Sequence, residues 1–308
     1  MLALLSNINN AIDGTPGISV VTILCMATTL IMIIVVPIFA IRHVKKTYHG
    51  SLKSLIYGIA MYLIFDILVF NIVMIAWVNI KTIGENDLFQ AILAAVISGL
   101  TAVVGRTLAI HALANSKSVE DGGSFGNAYM SGIGYSLLNI PVMFVAMLMN
   151  IIMALMINMF GLSYVADDVG EEGVESLLQT YEVYISTPPY EFLISGIRIL
   201  FLMVISMSLS VVIYAVYKKK AHSIMLLLAA IISVLAMLPI YLNQYEILLK
   251  TPLSMILVMA IFTAWLAFLA STIMRTYLKR EIKELKEMDT KKAQKAFPDF
   301  NKNIKKDI

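Results

Sequence analysis

Seven long apolar stretches dominate this sequence and constrain what it can fold into. They run over residues 18–41, 54–80, 88–114, 126–160, 190–217, 222–243 and 251–278. A helix needs about 20 apolar residues to cross the hydrocarbon core of a bilayer. Only 14% of the 308 residues are charged, which is too few to cover a water-facing surface. We therefore predict an all-α polytopic membrane helix bundle with about seven transmembrane helices, for which the lipid bilayer is the solvent.

The fourth stretch, 126–160, is longer than one crossing needs and contains Pro141. Two crossings here would move the basic run Lys218–Lys220 to the side opposite the other basic loops. Lys and Arg collect in loops on the cytoplasmic side. The sequence therefore predicts one crossing with an extra, kinked or partly re-entrant portion.

Basic residues set the expected orientation and domain limits. The first 17 residues contain no Lys or Arg, and 11 of the 23 in the chain follow residue 274. This bias predicts an N-terminus outside, a C-terminus in the cytoplasm and a multi-pass protein of the plasma membrane. No positive segment precedes the first stretch, so we interpret it as a retained span. We predict a helix-bundle domain over 1–280 and a basic cytoplasmic tail over 281–308, helical from Lys279 to Lys295.

The longest segment between spans, 161–189, has an acidic half followed by an apolar half. The acidic half contains Asp167, Asp168, Glu171, Glu172 and Glu175, and the apolar half contains Leu177, Leu178, Tyr181 and Tyr184. The apolar spacing suits one helical face. We predict one short amphipathic helix at the outer interface, with a solvated acidic face; a cation or substrate patch is the alternative.

Signatures of common chemistry are missing from the sequence. It contains no nucleotide-binding loop, no nucleophile elbow and no basic patch interleaved with aromatic residues. Cys25 is the only cysteine, and the four histidines, which fall near span ends, are His43, His49, His111 and His222. The histidines are scattered, whereas a metal site needs converging ligands. We predict no metal, no cofactor, no nucleotide and no nucleic-acid partner.

Three ionisable residues lie at membrane depth: Asp66, Arg106 and Arg198. Charges at that depth are costly and are usually paired or directed into a cavity. One interpretation is a substrate or proton site. The interpretation we favour is a structural ion pair between Asp66 and one arginine, with the other arginine snorkelling towards the interface.

Residues 98–114, SGLTAVVGRTLAIHALA, resemble the third-span motif A-G-x-x-E-E-x-G-R of the YhfC-type intramembrane metalloproteases. Gly99, Gly105 and Arg106 match, but Ala102 and Val103 stand in place of the two glutamates. The family's G-x-G-H-G-x-x-E segment corresponds to GIGYSLLN. There Gly132 and Gly134 match the family glycines. Tyr135 stands at the histidine position and Asn139 at the glutamate position.

The second half of the chain is similar to the family in the same way. Around SGIRILF and the following helix, Gly196, Phe201 and Ser210 match, whereas Arg198 occupies a glutamate position and Ser206 a histidine position. Ser233 stands where a later histidine would be, and Pro239 is retained. The resemblance covers about residues 20–270.

The resemblance implies hydrolysis of peptide bonds within the membrane by a water held between glutamate and histidine side chains. A titratable group must activate that water, and alanine, valine and serine cannot. We therefore predict a catalytically inactive, protease-like membrane protein. The small residues of the motifs would still allow close helix packing. These residues are Gly99, Ala102, Gly105, Gly132 and Gly134.

Such a protein would act by binding a membrane-protein partner, a hydrophobic peptide or a lipophilic ligand. By analogy with related bacterial membrane proteins, it would be accessory to an ABC transporter or to peptide immunity. Two alternatives stay open: a transporter or permease subunit that uses Asp66 and Arg198, and an active intramembrane metalloprotease.

Overall fold

The structure is a computed structural model that describes residues 16–79, 86–169, 171–249 and 251–284. These residues are mainly helical and contain no strand. The α-helices are α1 (Val20–Tyr48), α2 (Leu52–Tyr62), α3 (Phe70–Val78), α4 (Asp87–Asn115), α5 (Phe125–Leu137), α6 (Asn139–Phe160), α7 (Leu162–Val169), α8 (Glu171–Ser186), α9 (Pro189–Tyr217), α10 (Ile224–Gln244) and α11 (Pro252–Thr276). A π-helical segment, Leu63–Val69, joins α2 to α3 without a turn.

Seven helical stretches in the described part of the chain are long and apolar enough to cross a membrane, as predicted. Two of them are composite: Leu52–Trp77 contains the π-helical segment, and Phe125–Phe160 contains α5 and α6. The protein is therefore a multi-pass membrane protein. The first span differs most from the prediction, because α1 continues to Tyr48 and carries Lys45 and Lys46 in its last turn.

The interruption in the fourth span lies at Leu138, between α5 and α6. Pro141 explains its position. Proline has no N–H to bond to the carbonyl four residues earlier, and its ring clashes with that carbonyl. The carbonyl concerned belongs to Leu137, the last residue of α5.

Polar residues in the loops determine where several helices begin. Ser51 accepts a hydrogen bond from the backbone N–H of Lys53 before α2, and Asn86 accepts one from Phe89 before α4. Thr251 caps α11, which has Pro252 at its first position. Such caps satisfy backbone N–H groups that have no partner within the helix.

The chain divides into two compact units. The first contains the described residues up to Val36 together with Asn139–Leu200, and the second contains Pro37–Leu138 and the described residues from Phe201 onward. Helices α1 and α9 each contribute residues to both.

The core of the first unit explains the sequence pattern of the segment 161–189. This segment forms two helices, α7 and α8, where one was predicted. Leu177, Tyr181 and Tyr184 are buried in an apolar cluster of this unit, and Leu178 packs against it. The Tyr184 hydroxyl donates to Asn150 Oδ1 (3.0 Å). The apolar face was therefore predicted correctly. Of the acidic residues, Glu175 is exposed, and the side chains of the other four lie outside the described residues.

In the second unit, α2 packs against α5, and α10 packs against both α4 and α11. Glycines allow close approach at these contacts. A Cβ built on Gly99 of α4 would lie 2.9 Å from Val234 Cα of α10, and one built on Gly58 of α2 would lie 2.8 Å from the Tyr135 backbone nitrogen. Close helix–helix packing through small residues is typical of membrane bundles.

The predicted helix beyond the last span is interrupted. Helix α11 ends at Thr276, Tyr277 and Leu278 form a turn, and residues 279–284 are helical again. Arg280 and Glu284 form an i,i+4 ion pair of 3.0 Å in this short stretch. The rest of the predicted tail, 285–308, lies outside the described residues.

Candidate functional site

Arg106 of α4 lies buried in the second unit, with 5% of its surface exposed. Its Nη1 donates to the carbonyl of Ala102 (2.7 Å), and its Nε donates to Ser206 Oγ of α9 (3.2 Å). Its guanidinium carbon lies 3.8 Å from the centre of the Tyr135 ring. Hydrogen bonds and a cation–π contact thus hold this charge inside a membrane span.

Tyr135 of α5 occupies its place because α4 has no side chain at Gly105. A Cβ on Gly105 would lie 2.6 Å from the Tyr135 hydroxyl. That hydroxyl donates to the carbonyl of Thr101 (3.3 Å), and the edge of the ring meets the Tyr62 ring with centres 5.3 Å apart. Gly105 therefore opens the space into which the tyrosine fits.

Ser206 connects α9 to the same group of side chains. Its hydroxyl donates to the carbonyl of Gly132 on α5 and accepts from Arg106. A Cβ on Gly132 would lie 2.8 Å from Ser210 Cβ, so α5 and α9 touch closely here. The Ser210 hydroxyl is fully buried and has no hydrogen-bond partner in the structure.

Asp66 lies half-buried in the π-helical segment and faces α4. Its Oδ1 accepts a hydrogen bond from Thr101 Oγ1 (2.9 Å). Arg106 lies near enough to interact with it through its charge. The ion pairs among the described residues, Lys220–Glu281 and Arg280–Glu284, do not include Asp66. We refer to Asp66, Thr101, Arg106, Tyr135 and Ser206 as the Arg106 cluster.

The structure thus brings together some of the residues singled out in the sequence. Ala102 and Val103 are buried beside Arg106 on α4, and Ser233 is buried on α10 with no hydrogen-bond partner for its hydroxyl. Asn139 and Arg198 belong to the first unit, where Arg198 is half-buried. Asp66 and Arg106 interact through their charges without a direct contact. The favoured ion pair between Asp66 and an arginine therefore stays a prediction.

Sequence reasoning missed three features of this cluster: the presence of Thr101, the contact of Ser206 with Arg106, and the contact of the Tyr135 ring with Arg106. Thr101 lies five residues before Arg106 on the same helix, and polar residues near an intramembrane charge are a usable signal. The partnership of Tyr135 and Ser206 with Arg106 depends on contacts between separate helices, which no local pattern reports.

A second polar cluster lies just after the last span. The Glu281 carboxylate accepts hydrogen bonds from the Tyr214 hydroxyl and from Lys220 Nζ. The Tyr214 hydroxyl also lies 3.3 Å from the carbonyl of Gly123. Burial of the Glu281 carboxyl opposes its charged form, but these hydrogen bonds and the charge of Lys220 outweigh burial, so the pKa of Glu281 lies below its usual value. We refer to Glu281, Tyr214 and Lys220 as the Glu281 cluster.

Comparison with known families identifies the class of protein. The family model described as YhfC intramembrane metalloprotease matches residues 32–263. The match covers most of the chain, including both composite spans and the Arg106 cluster, so the chain belongs to the YhfC intramembrane metalloprotease family. No curated protein and no solved structure matches it.

The family description implies a metal, and the residues around Arg106 do not fit one. Ala102 and Val103 have no donor atoms, and Ser206 is engaged with the guanidinium and with Gly132. Within the described ranges, no three His, Cys, Asp or Glu side chains are placed to hold a metal ion. No catalytic step through a metal can be derived from these residues.

Proposed function

We propose that this protein is a non-hydrolytic member of its family that binds a transmembrane segment or hydrophobic peptide instead of cleaving it. The observation that supports this proposal is the set of side chains around the buried Arg106 guanidinium. Ala102, Tyr135 and Ser206 contact it, at positions where the family motifs have glutamate and histidine.

The side chains around Arg106 do not supply the groups that hydrolysis needs. Hydrolysis of an amide needs a base that takes a proton from water and, in a metalloprotease, a cation that polarises the carbonyl. Ala102 has no side-chain atom that could hold such a cation, and the Ser206 hydroxyl is engaged with Arg106 and Gly132. Asp66 is the carboxylate nearest to Arg106 among the described residues, and its hydrogen-bond donor is a threonine hydroxyl. The described contacts of His43 and His111 are with the rings of Tyr48 and Tyr217.

Binding needs only a complementary surface. The Leu52–Trp77 span has no buried residue in its most apolar window, so its outer face is available to another apolar segment. Tyr62 is half-buried at the edge of the Arg106 cluster, where a bound segment would meet both apolar and polar groups. An accessory role beside an ABC transporter or in peptide immunity is compatible with such binding, by analogy alone.

The test combines cleavage with site-specific crosslinking. A tail-anchored reporter is co-expressed with the protein carrying the photo-crosslinking amino acid p-benzoylphenylalanine at position 62. The matched control carries it at position 268, where Phe268 of α11 is 71% exposed. We expect an intact reporter that crosslinks from position 62 and not from position 268. A reporter cleaved in its membrane anchor, with cleavage abolished by a chelator or by Asp66→Asn, would contradict the proposal.

A further inference from the structure

The oxygens around Asp66 outnumber the hydrogens available to them. Thr101 Oγ1 lies 2.9 Å from Asp66 Oδ1 and 3.0 Å from the carbonyl oxygen of Ser98. A hydroxyl has one hydrogen, so it can donate fully to only one of these acceptors. The Tyr135 hydroxyl also has two acceptors for one hydrogen, because it donates to the carbonyl of Thr101 and lies close to Asp66.

The positively charged side chain near Asp66 does not form a direct ion pair with it. Arg106 donates to the carbonyl of Ala102 and to Ser206, and it stacks on Tyr135. Its charge reaches Asp66 only through space. Among the described residues, the other titratable groups that interact with the carboxylate are Tyr135 and Tyr241, which carry no positive charge. A carboxylate in a membrane span with so few donors is costly.

The backbone at Asp66 is unusual for a membrane span. Residues Leu63–Val69 form a π-helical segment between two α-helices. Single π-helical turns inside α-helices are frequent at functional sites. Asp66 is half-buried within this segment. The Tyr241 side chain lies beside Ser98 and near Asp66, so the same group of oxygens extends to α10.

We propose that Asp66, the hydroxyl of Thr101 and the carbonyl of Ser98 form a binding site for an alkali-metal cation. Hard cations prefer carboxylate, hydroxyl and carbonyl oxygens. A single carboxylate with a guanidinium nearby selects a monovalent ion over a divalent one, because the added charge must stay small. The proposal is independent of whether the protein hydrolyses peptides.

The test measures thermal unfolding of the purified protein in detergent with NaCl, KCl or choline chloride at equal ionic strength. We expect sodium or potassium to raise the melting temperature by about 3 °C relative to choline when the cation exceeds its dissociation constant roughly tenfold. Asp66→Asn keeps the size of the side chain and should abolish the rise. Glu281→Gln removes a carboxylate outside the spans and should keep it.

Two results would overturn the cation site: a wild-type melting temperature equal in all three salts, or an undiminished rise in Asp66→Asn. Should Asp66→Asn fail to fold, equilibrium binding of radioactive sodium and potassium replaces the melting experiment. Saturable binding of either ion by the wild type, weakened at least tenfold in Thr101→Val, supports the site. Absence of saturable binding to the wild type refutes it.

Discussion

The Arg106 cluster and the Glu281 cluster hold a charged side chain in opposite ways. Arg106 lies inside a membrane span, and it is held by a carbonyl, a serine and the face of a tyrosine ring, with no carboxylate in direct contact. Glu281 lies just beyond a span and has a direct ion pair with Lys220, whose side chain is 38% exposed. Both charges also rely on a tyrosine.

The difference follows from what surrounds each charge. Water at the end of a span screens the Glu281 pair and replaces lost contacts, so each contact contributes little. Inside the span no water replaces a lost partner, so every partner of Arg106 matters. We therefore expect the two clusters to respond to mutation with very different magnitudes.

The largest effect should come from Arg106→Leu, with a loss of about 3 kcal/mol in the free energy of unfolding. The change removes the charge that offsets Asp66 and leaves buried polar groups without partners. Arg106→Lys should recover only part of this loss, because an ammonium group cannot reproduce the planar guanidinium contacts. Thermal or denaturant unfolding in detergent measures both. Arg280→Leu, at a side chain 94% exposed, is the control and should change little. Equal losses for Arg106→Leu and Arg280→Leu would break the comparison.

Gly132→Ala should have the next largest effect, about 2 kcal/mol. Its new methyl group would lie 2.8 Å from Ser210 Cβ and 3.1 Å from the carbonyl oxygen of Ser206, so α5 and α9 must move apart. The control is Gly123→Ala, where the nearest atom is Lys218 Nζ at 3.4 Å, the end of a flexible side chain. The same unfolding assay should separate the two variants, and an unaffected Gly132→Ala would show that the contact can relax.

Glu281→Gln should have the smallest effect, a loss of about 0.5 kcal/mol at neutral pH, because the ion pair is partly exposed. The pKa of Glu281 is lowered in the folded state, so its contribution is complete above the unfolded pKa of about 4.3 and disappears as the pH falls through the folded pKa. Unfolding measured against pH should therefore show wild type and variant converging at low pH. A difference in unfolding free energy between wild type and variant that grows as the pH falls would contradict this prediction.

Much of the fold follows from the sequence because lipid imposes a simple rule on it. The seven predicted spans correspond to the seven candidate spans found among the described residues. Pro141 indicated a kink, which the structure places at Leu138. The π-helical segment around Asp66 packs against α4 and was not predicted, because no local sequence pattern indicated it. The predicted orientation of the termini stays a prediction.

The candidate site was only partly predictable. Asp66 and Arg106 were found because charge is rare at membrane depth, and both lie in one cluster. The direct hydrogen-bond partner of Asp66 is Thr101. Arg106 is in direct contact with Ala102, Tyr135 and Ser206. These contacts join the π-helical segment, α4, α5 and α9, so their geometry required the structure.

The central claim is that the positions around Arg106 cannot hold a catalytic metal. The most direct measurement is the metal content of the purified protein after expression in zinc-supplemented medium, determined by mass spectrometry and normalised to protein concentration. The account predicts far less than one zinc ion per chain, unchanged in Tyr135→Phe. One zinc ion per chain, lost in Tyr135→Phe or Ser206→Ala, would contradict it.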